Sequence, residues 1–166
     1  MATIKQKITP CLWFDSQAEE AAKFYTSVFK NSAIKHVSRY GEAGKEVHGR
    51  EAGSVMVVEF EIEGCAFTAL NGGPLFKFNE AVSFQVMCES QDEIDYFWDK
   101  LTEGGRESQC GWLKDKFGLS WQVVPADLPQ LFAGGDAASR ERVMAAVMQM
   151  KKFDVETLRR ARAGQA

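Results

Sequence analysis

The sequence predicts an α+β fold made of two tandem β-α-β-β-β units followed by carboxy-terminal helices. A short apolar strand pattern that runs into a Ser-x-x-Glu box and an amphipathic helix occurs twice. Ile8 to Phe14 leads into Ser16 and Glu19, and Val82 to Cys88 leads into Ser90 and Glu93, with the same separation between every corresponding pair. A repeat of this length is longer than a solenoid element and short for an independent domain, so the copies are expected to share one domain over 1–166. Within it the first module is 1–74, the second 75–128, and a helical extension occupies 129–166.

In the first unit Ile8, Pro10, Leu12 and Phe14 alternate with Thr9, Cys11 and Trp13, so one strand face should meet a helix. That helix places Ala18, Ala21, Ala22, Tyr25, Val28 and Phe29 on one stripe, opened by the capping box and closed by Lys30-Asn31-Ser32. Strand patterns follow at Ala33 to Tyr40, Ser54 to Ile62 and Cys65 to Leu70, with Glu63-Gly64 as a tight turn between the last two.

The second unit repeats this with less room. Val82, Phe84, Val86 and Cys88 alternate with Ser83, Gln85 and Met87, and a helix bearing Ile94, Phe97, Trp98 and Leu101 stops at Gly104-Gly105. Two shorter strands are legible, Glu107 to Leu113 and Leu119 to Val124, with Lys114 to Gly118 as the turn. Pro125 and Pro129 end the repeat. Beyond Gly134-Gly135, Val143, Met144, Val147 and Met150 recur at helical spacing, and Asp154 caps a last helix with Val155 and Leu158.

Composition excludes several classes of function. The chain has 166 residues, 45% of them hydrophobic, which suits a domain with a substantial core. A net charge of −3 without a basic stripe in the repeats argues against nucleic acid. No run approaches the roughly 18 apolar residues of a membrane span, and the first residues lack an apolar signal core, so a cytoplasmic protein without a membrane partner is expected. Cys11, Cys65, Cys88 and Cys110 form no Cys-x-x-Cys pair and read as reduced packing residues.

Several words resemble the vicinal-oxygen-chelate superfamily (glyoxalase I, extradiol dioxygenases, bleomycin-resistance proteins), and within it the PhnB-like branch. They are Ile8-Thr9-Pro10-Cys11-Leu12-Trp13-Phe14-Asp15, Ala69-Leu70-Asn71-Gly72-Gly73-Pro74, Ser83-Phe84-Gln85-Val86 and Asp115-Lys116-Phe117-Gly118-Leu119-Ser120-Trp121-Gln122, joined by the tail from Arg142 to Asp154. The resemblance implies paired modules that curl a mixed sheet around a cavity, a homodimer, and the label 3-demethylubiquinone-9 3-methyltransferase. That label finds no mechanism in the residues, because no glycine-rich turn joins a strand to a striped helix as S-adenosylmethionine binding generally requires.

The resemblance also implies a divalent metal held by His or Glu near the start of each first strand and the end of each last strand. The matching positions hold Thr9, Ser83, Asn71 and Gln122, neutral groups that bind transition metals weakly. No cofactor is therefore predicted. A metal would need another site, for which the charged stretch Glu46, His48 and Glu51 is the candidate, although a solvated loop is the simpler reading. His36 reads as a strand histidine. Cys11 is a small packing residue or, less simply, a reactive thiol on the cavity face.

Strand alternation assigns Thr9, Cys11, Trp13, Ser83, Gln85 and Met87 to the cavity, with Asn71, Ser120 and Gln122 at strand ends and Trp112 at its border. Buried Ser, Asn and Gln side chains cost roughly 1–3 kcal/mol each when unpartnered, which favours a real pocket. Such a lining suits a small hydrophobic or aromatic ligand. An enzyme is the alternative, either a metal-dependent lyase or dioxygenase or the methyltransferase of the label. The apolar stripe of the tail is expected at a homodimer interface or over the cavity mouth, or packed within its own chain.

Overall fold

Pairing of the first strand begins later than its apolar alternation suggests. Pro10 has no N–H to give to a ladder, and only its carbonyl is used, accepting from Thr68 N at 2.9 Å, so strand β1 is Cys11–Phe14. Ile8 is 84% exposed. The structure, a computed structural model, describes residues 5–165; Met1 to Ile4, part of the stretch read for a signal core, lie outside them. Two compact units meet between Phe78 and Asn79 in sequence.

In the first unit, β1 is followed by helix α1 (Ala18–Val28), β2 (Ala33–Arg39), the single turn α2 (Lys45–His48), β3 (Val55–Ile62) and β4 (Cys65–Asn71). The sheet order is β1-β4-β3-β2, with β1 parallel to β4 and the other pairs antiparallel. Leu12, Phe14, Val58, Phe60, Ile62, Phe67 and Ala69 are buried on one face, where Ala18, Ala21, Ala22, Tyr25 and Val28 of α1 are buried too. The small residues let the helix approach closely, and Tyr25 stacks on Phe60, which stacks on Phe67. Cys11, Trp13, Thr68, Leu70, Val57 and Glu59 alternate onto the other face.

The second unit contains β5 (Ser83–Cys88), α3 (Gln91–Thr102), β6 (Arg106–Glu107), β7 (Trp112–Lys114), β8 (Ser120–Pro125), α4 (Leu128–Ala133), α5 (Ala137–Met148) and α6 (Val155–Ala163). Its sheet runs β5-β8-β7-β6, again with one parallel pair, β5 with β8. The strand expected at Glu107 to Leu113 is interrupted. Cys110 and Gly111 take positive φ and turn their N–H groups to Met150 O and Lys151 O, so β6 and β7 separate and the unit gains its third closing strand. Pro129 opens α4 from its first turn, a position where a missing N–H costs nothing. Ile94, Trp98 and Leu101 of α3 are buried with Val86, Leu113, Trp121 and Val123 of the sheet.

Most of the tail's apolar stripe packs within its own chain. Val143, Val147, Phe153, Val155 and Leu158 are buried, whereas Met144 and Met148 stay exposed. Gln91 ties the tail to α3: its amide nitrogen donates to Phe153 O at 3.0 Å and its oxygen accepts from Val155 N at 2.9 Å. Among the described residues no helix is long and apolar enough to cross a membrane.

Candidate functional site

The face of the second sheet turned away from α3 collects the polar side chains that the sequence singles out in this unit. Ladder register places Ser83 beside Ser120 and Gln85 beside Gln122, and Gln122 is also the partner of Trp112. Gln122 Nε2 donates to Ser83 Oγ at 2.8 Å, and Gln85 Nε2 lies 3.5 Å from Gln122 Oε1. Ser120 is 0% exposed, and its hydroxyl has no hydrogen-bond partner among the described residues. A buried, unpartnered hydroxyl costs on the order of 1–3 kcal/mol unless a ligand or water meets it.

Lys114, read from sequence as the start of a turn, is a strand residue of this same face. It pairs in register with Ser120 on one side and with Arg106 on the other. Its ammonium lies 2.6 Å from Glu80 Oε1, and Arg106 lies 3.9 Å from the same oxygen. The hydrogen bond from Lys114 holds the Glu80 carboxyl below the usual carboxylate range. The turn after Lys114 is organised by buried Asp115, whose Oδ1 accepts from Phe117 N and Leu119 N while Oδ2 accepts from Trp121 Nε1.

In the first unit, Cys11 and Trp13 share the face away from α1, as alternation requires, and Thr9 is an exposed residue ahead of β1. Trp13 is half-buried, donates its indole N–H to Gly73 O at 2.8 Å and meets Phe76 edge to face. Asn71 is placed differently from the expectation. It shares the helix-side face with Phe67 and Ala69, and its amide is spent there: Oδ1 accepts from Ala18 N at 2.8 Å and Nδ2 donates to Val55 O at 3.1 Å. Burial pushes the thiol of Cys11 upward, so its nucleophilic thiolate is disfavoured.

At the positions implied for a metal, the side chains of Asn71, Ser83 and Gln122 are engaged with the protein itself. Asn71 is committed to the backbone, Ser83 and Gln122 are bonded to each other, and all four residues are neutral. At the alternative candidate, His48 Nδ1 accepts from Arg50 N at 3.0 Å, which leaves the proton on Nε2, 3.2 Å from Ala43 O. Both ring nitrogens are thereby occupied, while Glu46 is exposed and Glu51 pairs with Lys45 at 3.4 Å. Among the described residues no group of three or more His, Cys, Asp or Glu side chains is arranged to hold a metal.

A cavity of about 360 Å³ opens elsewhere in the second unit, between Cys88, Ser90, Gln91, Pro125, Asp127 and Arg159. It includes none of the side chains assigned from sequence. Its polar groups serve the fold: Ser90 caps α3, Arg159 pairs with Asp127 at 3.2 Å, and desolvation pushes the Cys88 thiol up to about 12.

Two open four-stranded mixed sheets, each built on a β-α-β-β-β unit, define a tandem glyoxalase-like protein of the vicinal-oxygen-chelate superfamily. Residues 6–124 match the family described as 3-demethylubiquinone-9 3-methyltransferase, and the chain belongs to that PhnB-like family. A PhnB protein from Bacillus cereus carrying the same description is 38% identical, covers 73% of this chain and 100% of its own, and superposes with a TM-score of 0.65. A protein from Pseudomonas aeruginosa is 19% identical over 72% of this chain and 96% of its own, at a TM-score of 0.58. The fosfomycin resistance protein FosX from Mesorhizobium loti is 11% identical over 80% of this chain and 100% of its own, at 0.55. The last two show the fold alone. No curated protein matches the sequence.

Proposed function

We propose that this chain is a PhnB-like glyoxalase-fold protein that binds a small hydrophobic or aromatic molecule, with no metal at the positions used elsewhere in the superfamily. The observation that carries the reading is the Ser120 hydroxyl, fully buried and without a partner among the described residues, on a face shared with Ser83, Gln85, Gln122 and Trp112. A ligand that meets this hydroxyl relieves its desolvation, and Trp112 offers an aromatic surface beside the aimed polar groups. Four unpaired cysteines suit a reducing, cytoplasmic compartment. The protein acts as a homodimer, for which exposed Met144 and Met148 supply adaptable apolar contacts.

Native mass spectrometry of protein purified without chelator, with metal analysis of the same sample, tests these statements together. A metal-free dimer that retains or accepts an organic compound is the expected result. Stoichiometric divalent metal would overturn the metal-free reading and favour a lyase or dioxygenase.

The methyltransferase reading is favoured by one observation, the family match over residues 6–124. Against it, the turns from β1 into α1 and from β5 into α3 contain no glycine for close approach to a cofactor. Calorimetric titration with S-adenosylmethionine decides it: saturable binding restores this reading, and no heat of binding removes it.

A further inference from the structure

We propose that the β6-β7-β8-β5 face is built for a monoanionic ligand, whose acidic group is received by Lys114 and Ser120 in place of the Glu80 carboxylate. This rests on the ligand-binding reading above and specifies the chemistry of that ligand. One ladder row crosses all four strands of the sheet: Ser83, Ser120, Lys114 and Arg106 are register neighbours in turn. Directly opposed side chains on one sheet face stand about 5 Å apart at their Cβ atoms, so the row lines up two hydroxyls and two cations. Lys114 is only 16% exposed at its side chain, so its charge is far less solvated than that of Arg106, at 71%. A partly buried ammonium needs an anion, and in this chain Glu80 provides it at 2.6 Å.

Glu80 is a replaceable partner. It lies just before β5, its side chain is 62% exposed, and it can move into water without leaving a buried charge of its own. The Ser120 hydroxyl beside Lys114 has no such partner among the described residues. An incoming carboxylate has two oxygens, one for the ammonium and one for the hydroxyl, and so satisfies both groups where Glu80 satisfies one.

The rows beyond this one give the shape of the rest of the ligand. Two residues along the strands the row becomes Gln85, Gln122 and Trp112, and two further it becomes Met87 and Val124. Successive rows are about 7 Å apart, so polarity falls from cationic to amide to apolar over about 13 Å. That gradient matches an aromatic or aliphatic body carrying one carboxylate-like group. A second acidic group would meet the amides and the apolar row without a cation.

The test uses the full chain and three matched pairs: benzoate and benzamide, trans-cinnamate and cinnamamide, 2-naphthoate and 2-naphthamide. Amide chemical shifts from Ser83 to Met87, Trp112 to Lys114 and Ser120 to Val124 are followed during titration. At least one acid should bind tenfold or more tightly than its neutral twin. Lys114→Met should abolish that preference. Glu80→Gln, at an exposed position that leaves the fold intact, should tighten the acid several-fold, and Ser120→Ala should weaken it. Equal affinity for acid and amide in every pair, or weaker acid binding in Glu80→Gln, overturns the anion site and leaves the ligand-binding reading standing. Shifts on this face with neither member of any pair overturn both.

Discussion

Asn71 Oδ1 accepts the backbone N–H of Ala18 at 2.8 Å, so the last residue of β4 caps the first residue of α1. The helix supplies no side-chain cap of its own, and the Ser16-x-x-Glu19 box stays open. A residue 53 positions away therefore completes a helix start that local sequence assigned to Ser16. The same asparagine donates to Val55 O, and its carbonyl accepts from Tyr40 Oη at 2.6 Å.

Replacing this amide should destabilise the first unit. Asn71→Ala leaves the Ala18 N–H and the Val55 carbonyl without their partner in a buried setting, at a cost of about 1–3 kcal/mol. Asn71→Asp keeps an acceptor at the helix start but loses the donor to Val55 O, so it should recover only part of the loss. Urea denaturation of the three proteins measures this. Wild-type stability in Asn71→Ala would show that the cap carries nothing.

Gly72 should tolerate no side chain. A Cβ at this position would stand inside the Trp13 ring, which is held there by its N–H bond to Gly73 O and by Phe76. Gly72→Ala must expel the indole, at about 1–3 kcal/mol for an overpacked site, and should red-shift part of the tryptophan emission. An unchanged spectrum and melting temperature would mean that Trp13 is not packed against this backbone.

The same residues show what was legible in the sequence and what was not. Alternation along Ile8 to Phe14 and Val82 to Cys88 identifies the helix-side residues Leu12, Phe14, Val86 and Cys88, because apolar periodicity reports burial directly. It also puts Ser83, Gln85, Ser120, Gln122 and Trp112 on one face, since register preserves side in a two-residue period. Asn71 escapes this logic: a polar residue at the end of an apolar strand reads as turned outward, and only tertiary proximity to α1 gives it a buried role. Lys114 escapes for the opposite reason. The run Lys114 to Gly118 has turn composition, yet the strand extends through Lys114 and the turn begins at Asp115, which spends one carboxylate oxygen on the turn backbone and the other on the Trp121 indole. His48 carries no signal in its neighbours that its ring closes a local loop.

Thiol chemistry should distinguish buried Cys88 from the exposed cysteines. Desolvation holds the Cys88 thiol at about 12, and its side chain is 2% exposed, so at pH 7.5 it lacks both the thiolate and the access that alkylation needs. Iodoacetamide labelling followed by peptide mass spectrometry should modify Cys88 only at the rate of unfolding, with labelling rising in urea along the denaturation curve. Cys11, whose thiol is also raised by burial, should react more slowly than a free thiol at the same pH. Rapid modification of Cys88 in native buffer would contradict the packing of β5.

The attachment of the tail to α3 should depend on pH at both ends of the scale. Lys152 Nζ lies 2.7 Å from Asp95 Oδ1; this bond, then the one from Gln91, holds the Asp95 carboxyl below its usual range, and the same pair holds Lys152 above its own. An acid with a depressed folded pKa contributes stability above its unfolded value, about 4, and loses it as pH falls through the folded value. A base with a raised folded pKa contributes stability below its unfolded value, about 10.4, and loses it as pH rises through the folded value. The window of full attachment is therefore about pH 4 to pH 10. Because both groups are partly exposed, salt should weaken the contribution. Hydrogen exchange at Val155 and Leu158, compared between wild type and Asp95→Asn, reads it locally. The variant should exchange faster than wild type at pH 6, approach it progressively as pH falls below about 4, and differ less in 0.5 M salt; a difference that does not shrink as pH is lowered below that range would show that the ion pair does not hold the tail.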